Sequence, residues 1–226
     1  MYLIRGQHNL ELFKSRFKDI KLSGTIGNFD GLHLGHQAIL EKIKNNSKKF
    51  ESRTIVFFTE PHASEYFASI SNLDNKIPPR ICSWREKFKL LEKSDIDFAF
   101  FLKFNNSLRT MSPENFITEI LDSINLKSFT VGDDFRFGLD RKGDTDQLRE
   151  WGKKRDILVE NTETILLEGE RVSSTRIRKA LIDNNFKLAE KLLGRPYTFS
   201  GKVVHGQHLG RTINIPTANI WLPKQK

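Results

Sequence analysis

Between Thr25 and His36 the chain reads Thr-Ile-Gly-Asn-Phe-Asp-Gly-Leu-His-Leu-Gly-His, and this stretch restricts the fold more than any other. An uncharged run from Leu22 to Phe29 leads into it, and a helical pattern, His36-Gln-Ala-Ile-Leu-Glu-Lys-Ile43, leaves it. It therefore reads as a crossing from strand to helix. Gly27, Gly31 and Gly35 punctuate the crossing. Glycine accepts unusual backbone angles and lets a ligand approach the main chain closely. A helix N-terminus leaves its first amides unpaired and carries a partial positive charge, which suits phosphate. His33 and His36 lie three apart at that mouth, where both rings can donate hydrogen bonds to one anion. The spacing is not that of the Walker loop, because no Gly-Lys-Ser/Thr follows, nor that of the dinucleotide fingerprint. On these residues alone, a phosphate site and a glycine-rich turn with two surface histidines are both open readings.

The rest of the chain alternates strands with helices. Residues 1–20 read as a short strand and an amphipathic helix, with Leu10, Phe13 and Phe17 at helical spacing. Residues 53–58 form a strand that runs into a polar loop with aromatics over 59–67. A helix over 83–94 carries Trp84, Phe88 and Leu91 on one stripe, and a strand follows over 97–103. Ser112 caps the next helix, with Pro113 in its first turn and Phe116, Ile117, Ile120, Leu121 and Ile124 inside. Residues 128–132 form a further strand and 156–171 are strand-like; the segment 172–178 then opens a helix capped by Ser173, Ser174 or Thr175. This order predicts an α/β fold, a parallel sheet with helices on both faces. Ligands bind such sheets beyond the carboxyl ends of the strands. The His-x-Gly-His turn, the Pro61-His62 loop and Gly132-Asp-Asp-Phe-Arg-Phe-Gly138 all fall there, which points to one composite site.

Composition narrows the setting. The 226 residues hold one full domain and part of another, and 18 phenylalanines give bulk for a core. The longest apolar run, Phe98 to Leu102, is far too short to cross a bilayer, and the N-terminus lacks a secretory apolar segment. Cys82 is the one cysteine, which excludes an internal disulfide. A cytoplasmic protein with no membrane partner is expected. The net charge is +9, but residues 195–226 supply five of the cations and no acid. The remainder carries only +4, without a dense basic block, so no nucleic-acid partner is expected. A polyanionic small substrate explains a modest excess equally well.

His33-x-Gly-His36 resembles the signature of the nucleotidyltransferase superfamily, and Gly27-Asn-Phe-Asp-Gly-Leu-His-Leu-Gly-His36 resembles its FAD synthetase branch. Val172-Ser-Ser-Thr-Arg-Ile-Arg178 looks like the second signature of these adenylyltransferases, with Arg171 completing the branch pattern. Gly132 to Gly138 is similar to a motif whose acid or amide before the first phenylalanine, here Asp134, contacts adenosine. Thr59-Glu-Pro-His-Ala63 is similar to the flavin-side loop, although Ala63 stands where the family carries a second proline. Near the C-terminus, Gly210-Arg211 with Pro216-Thr-Ala-Asn219 resembles the start of a riboflavin kinase module. Asn214 stands there where glycine is common.

The resemblance covers residues 1–226 and is to the bacterial bifunctional riboflavin kinase and FAD synthetase family. It implies a Rossmann-like nucleotidyltransferase domain over 1–186. A linker and the first part of a β-barrel kinase module follow over 187–226, the rest of the barrel and its catalytic glutamate lying outside this chain. It implies transfer from ATP to FMN, giving FAD and pyrophosphate, with Mg²⁺ held mainly by phosphate oxygens and by no protein ligand. His33, His36 and Arg178 are the implied catalytic residues. Gly27, Asn28, Phe29, Asp30, Gly31, Gly35, Asp134, Arg171, Ser173, Ser174 and Thr175 are implied on ATP, Pro61 and His62 on FMN. Gly210, Thr217 and Asn219 are implied on the kinase-side ATP and Mg²⁺. A monomer or weak oligomer is expected. Two other readings stand beside this one: a non-catalytic nucleotide- or flavin-binding module, and a nucleotidyltransferase for another phosphate ester.

Overall fold

The structure is a computed structural model, which describes residues 1–71, 77–204 and 217–222. Strands β1 (Tyr2–Arg5), β2 (Leu22–Ile26), β3 (Arg53–Glu60), β4 (Phe98–Lys103), β5 (Leu126–Gly132) and β6 (Leu158–Thr162) form a six-stranded sheet in the order β1-β4-β3-β2-β5-β6. Every neighbouring pair is parallel. Strands covered on both faces read as continuous apolar runs, and Ile55-Val-Phe-Phe58 and Phe98-Ala-Phe-Phe-Leu102 do so.

Alternation along these strands divides the core into two faces. Ile55, Phe57, Phe100, Leu102 and Phe129 pack with Leu10 and Phe13 of α1 (Leu10–Arg16). The same face takes Leu108 from α5 (Asn106–Thr110), Phe116 from α6 (Pro113–Phe116) and Trp151 from α7 (Thr145–Lys153). Val56, Phe58 and Ala99 on the other face pack with Leu40 and Ile43 of α2 (Leu34–Lys49) and Leu91 of α4 (Trp84–Lys93). A third cluster joins Ile81 and Val172 to Ile177 of α8 (Ser174–Ile182) and to Leu192 and Leu193 of α9 (Phe186–Leu193).

The direction of winding reverses between β2 and β5, which are neighbours although α2, β3, α4 and β4 separate them in the chain. Such a switch point leaves a crevice at the strands' carboxyl ends. The turn carrying His33 follows β2 and the segment Asp133–Phe137 follows β5, so both motifs meet there.

Several expectations need correction. The stretch after residue 58 is not a polar loop: β3 continues to Glu60, and α3 (Ala63–Ile70) starts after the cis Glu60–Pro61 peptide. His62 is its N-cap, in a capping box with Glu65, so a helix-start signal was present. Ser112 caps α6 as expected, but the helix passes after four residues into a π-helical turn over Ile117–Leu121. The segment before α8 divides into β6, which extends the sheet, and a short hairpin of β7 (Leu166–Leu167) and β8 (Glu170–Arg171). In the tail, β9 (Lys202–Val204) and β10 (Asn219–Trp221) pair antiparallel, with Val203 and Trp221 exposed. Ser200 donates through its amide and hydroxyl to Glu86 of α4. Gly210, Arg211, Asn214 and Pro216 lie outside the described residues.

Candidate active site

A cavity of about 1130 Å³ opens at the carboxyl ends of the strands. One end is polar and built from the turn after β2 and the mouth of α8: Gly27, Asn28, Phe29, His33, Gly35, His36, Ser173 and Ser174. The other is mainly apolar: Ala63 and Phe67 of α3, then Leu102, Phe104, Leu108, Phe116, Phe135 and Phe137, with Arg109, Arg136, Asp140 and Arg141 also in the lining. Arg171, Asp133 and Asp134 also line it.

The turn is shaped by backbone that only a supported loop can hold. Phe29, Gly31 and Leu32 all have positive φ (48°, 80° and 43°). A Cβ on Gly31 would lie 2.8 Å from Cγ2 of Ile81, so glycine is required there on two counts. His33 is the N-cap of α2: its Nδ1 accepts the His36 amide at 3.3 Å. An Nδ1 that accepts is unprotonated, which leaves the proton of the neutral ring on Nε2. Burial, with Arg171 and Arg178 nearby, brings His33 down to about 4 against the opposing pull of Asp30. The His36 ring stacks on it at 3.6 Å, and burial holds His36 well below the ordinary histidine value. Its Nδ1 is buried without a hydrogen-bond partner. Two neutral imidazoles therefore sit at the first turn of α2, donors by N–H rather than by full charge.

Asp30 does not face the cavity. It is 2 % exposed, and its carboxylate accepts from the amides of Ile81 and Cys82 at 3.1 Å each and from Arg178 at 2.6 Å. Arg178 also donates to Pro79 O at 2.7 Å. This departs from the expectation that Arg178 points at phosphate: the buried carboxylate of Asp30, in the turn after β2, takes its guanidinium instead. Ser174 Oγ donates to Asp30 O at 3.0 Å, tying α8 to the turn, and Ser173 caps α8 by accepting from the Arg176 amide. Thr175 is exposed and Gly31 is buried; neither lines the cavity. Arg171 pairs with Asp134 at 2.9 Å and with Asp133 at 3.4 Å.

Pro61 and His62 do not line the cavity either. His62 is 6 % exposed, its Nε2 is 3.1 Å from Lys87 Nζ, and burial beside Lys87 and Arg80 takes it down to about 4. The helix it caps presents Ala63 and Phe67 instead. Arg80, which bridges Glu60 and Glu65, anchors the start of that helix. Thr217 and Asn219 are exposed at and beside β10.

The structure adds residues that sequence reading missed. Lys87 is 0 % exposed, donates to Asn28 O at 2.6 Å and lies 4.9 Å from the Phe58 ring centre. Burial lowers its pKa. Its position between Trp84 and Leu91 on the apolar stripe of α4 was a signal, because a lysine three after one core residue and four before the next faces inward. Arg109 lines the apolar end with its Nε buried and unpartnered.

A parallel α/β sheet with its switch-point crevice, a His-x-Gly-His helix mouth and a second helix mouth opposite defines a Rossmann-like nucleotidyltransferase. The chain belongs to the FAD synthetase family, whose pattern matches residues 17–176; the riboflavin kinase family matches residues 193–226. It is 40 % identical over 226 residues to the bifunctional riboflavin kinase/FMN adenylyltransferase of Escherichia coli (strain K12), covering all of this chain and 69 % of that protein. The protein of the same description from Pseudomonas fluorescens is 39 % identical, with 100 % and 70 % covered. A crystal structure described as a macrolide-efflux protein from Streptococcus pneumoniae superposes with a TM-score of 0.76 at 28 % identity, over 100 % of this chain and 70 % of the other. No helix among the described residues is long and apolar enough to cross a membrane.

Proposed function

We propose that this chain transfers the adenylyl group of ATP to FMN, giving FAD and pyrophosphate. The observation that carries this is one cavity with a phosphate-suited end and an aromatic end, at the switch point of a FAD synthetase fold. A flavin has both characters: a flat ring system for Phe104, Phe116 and Phe135, and a phosphate for the helix mouth. An oxygen of the FMN phosphate attacks the α-phosphorus of ATP in line. The bond to the β-bridging oxygen breaks, and pyrophosphate leaves with that electron pair. No covalent intermediate on the protein is needed, so catalysis is positioning plus charge stabilisation.

In this reading the first amides of α2, the Nε2–H of His33 and the His36 ring stabilise charge on the transferring and departing phosphates. Gly27 and Gly35 let phosphate approach the backbone, with Asn28 and Phe29 beside them. Ser173, Ser174 and the free amides of α8 face the triphosphate from the other side. Arg171, with Asp134, borders the adenosine part. Asp30 and Arg178 act by fixing the turn, and Ala63 and Phe67 take the flavin-side place first given to Pro61 and His62.

Among the described residues no group of three or more His, Cys, Asp or Glu side chains converges to hold a metal ion. Asp133 and Asp134 are already engaged with Arg171 and Thr164. These residues do not build a cage for a bare cation. Mg²⁺ is accordingly assigned to the triphosphate, entering as part of the substrate. Riboflavin kinase activity is proposed only for a chain carrying the further strands of that module.

Incubation of the 226-residue chain with ATP, FMN and Mg²⁺, followed by chromatographic detection of flavins, tests the reading. FAD and pyrophosphate should form in equal amounts, and riboflavin in place of FMN should give neither FMN nor FAD. Absence of FAD, with tight flavin binding intact, would leave a binding module instead. AMP transfer to other phosphate esters in preference to FMN would assign a different acceptor.

A further inference from the structure

The chain after α9 folds back onto the phosphate-binding turn. Gly194 closes α9 in a left-handed conformation (φ 68°), and a Cβ there would lie 2.7 Å from Leu34, the first residue of α2. This close approach brings Arg195 beneath the turn. Its guanidinium donates to Gly31 O at 2.6 Å, to Leu32 O at 3.2 Å and to Leu193 O at 3.3 Å. Gln37, in the first turns of α2, bonds Leu32 O at 2.9 Å and Leu193 O at 2.8 Å. Two side chains thus cross-link the same pair of carbonyls, one on the turn and one at the end of α9.

Gly31 and Leu32 are the two residues immediately before His33, and both have positive φ. Such backbone persists only where surrounding contacts fix it. The FAD synthetase pattern ends at residue 176 and the riboflavin kinase pattern begins at 193, so Arg195 falls within the second.

We propose that Arg195 is a positioning residue for adenylyl transfer: from the segment that resembles riboflavin kinase, it holds the turn that sets His33 and the α2 amides against the phosphates. The proposal rests on the adenylyl-transfer reading of the site. The planar fork uses two nitrogens held in fixed geometry, Nη2 on Gly31 O and Nη1 on Leu32 O and Leu193 O, a spread that the single nitrogen of lysine does not reproduce. The unit needed for adenylyl transfer therefore runs past residue 186 to Arg195. Arg195 touches no reacting group; it acts through Gly31 and Leu32.

The test uses the 226-residue chain and the variants Arg195→Ala and Arg195→Lys, with Arg176→Ala as a matched control. Arg176 also holds carbonyls, those of Leu167 and Glu170 in the β7–β8 hairpin, and its hydrogen bonds among the described residues reach neither Gly31 nor Leu32. Misplacing reacting groups by about 1 Å costs on the order of 10²-fold in rate. Arg195→Ala should therefore lower turnover by about 10–100-fold and raise the Michaelis constant for ATP, while FMN affinity stays within about twofold, since the aromatic end is not touched. Arg195→Lys should recover little of the loss. Arg176→Ala, which loosens the β7–β8 hairpin and not the turn, should lose clearly less turnover than Arg195→Ala at temperatures where it is folded. Hydrogen–deuterium exchange gives a readout independent of activity: the peptide covering residues 27–36 should exchange faster in Arg195→Ala and not in Arg176→Ala. Parental turnover in Arg195→Ala, or an equal loss in Arg176→Ala, overturns the proposal; so does unchanged exchange over 27–36. Should the parent chain make no FAD, the adenylyl-transfer reading fails, whereas the exchange measurement still decides whether Arg195 holds the turn.

Discussion

Replacement of Arg178 separates a clamp on the phosphate turn from a direct phosphate ligand. The Arg178–Asp30 pair is 2.6 Å long, with side-chain exposures of 19 % and 3 %. Losing one partner of a wholly buried pair costs about 3–5 kcal/mol, because the remaining charge is left unpaired. Here Asp30 keeps the amides of Ile81 and Cys82, and Arg178 is partly wet. Arg178→Ala should then cost about 2–3 kcal/mol, the scale of a charged hydrogen bond with some desolvation penalty. For a chain of this size each kcal/mol lowers the melting midpoint by about 2–4 °C, so a fall of roughly 4–12 °C is expected. Urea denaturation of Asp30→Asn, Arg178→Ala and the double variant closes a thermodynamic cycle, and the coupling should be about 1–2 kcal/mol. The Michaelis constant for ATP should rise alike in both single variants, since each releases the same turn. Coupling below about 0.5 kcal/mol, together with an ATP defect confined to the Arg178 variant, would refute the clamp and return Arg178 to the phosphates.

The remaining predictions concern the two ends of the cavity and acid. His36→Ala should lower adenylyl transfer by about 10²–10³-fold, the usual effect of losing one transition-state donor; steady-state turnover beside FMN titration checks that FMN affinity is retained. Phe135→Ala should weaken FMN binding by about 1 kcal/mol or more through lost ring contact, leaving the ATP constant unchanged; equal losses for both substrates would count against an aromatic flavin end. Stability should fall as pH drops from 6.5 toward 4. His33 and His62 are both lowered to about 4, so in that window the unfolded chain takes up protons that the folded chain does not. The contribution of His33 alone is up to roughly 3 kcal/mol, and urea midpoints at stepped pH should show a shallower decline in His33→Asn than in the parent.

Where the determinants were local, the sequence was legible. The strand-to-helix crossing after Ile26, Ser112 before Pro113 and the hydroxyl cap at Ser173 are each set by residues within a turn of one another, and the structure has them in those places. The sheet was legible for a related reason: runs such as Ile55–Phe58 and Phe98–Leu102 are apolar on both alternating faces, a pattern that a strand covered on both sides requires. Misreadings were local too. Treating residues 59–67 as a loop gave weight to Pro61 and to polar Thr59 and Glu60, when the proline ends a strand and His62 with Glu65 begins a helix.

The support beneath the phosphate turn was not legible, because it is made by contacts distant in the chain. Asp30 meets the amides of residues 81 and 82, Asn28 O meets Lys87, Asp30 meets Arg178, and Gly31 O meets Arg195. The stripe of α4 turns Lys87 inward, but nothing in the sequence pairs it or the others with their partners, and only the folded sheet brings them together. The signs of charge give the reason for the arrangement. The turn places positive-φ residues and two uncharged imidazoles at a helix mouth, a geometry with little stability of its own. Cations held on its carbonyls from below, by Lys87 and Arg195, fix the backbone and add positive potential behind the phosphates without entering the cavity. Arg178, neutralised by Asp30, fixes the turn without adding to that potential. The turn therefore presents N–H donors at the cavity while cationic side chains hold its carbonyls one layer deeper, one of them from a segment that resembles a different enzyme.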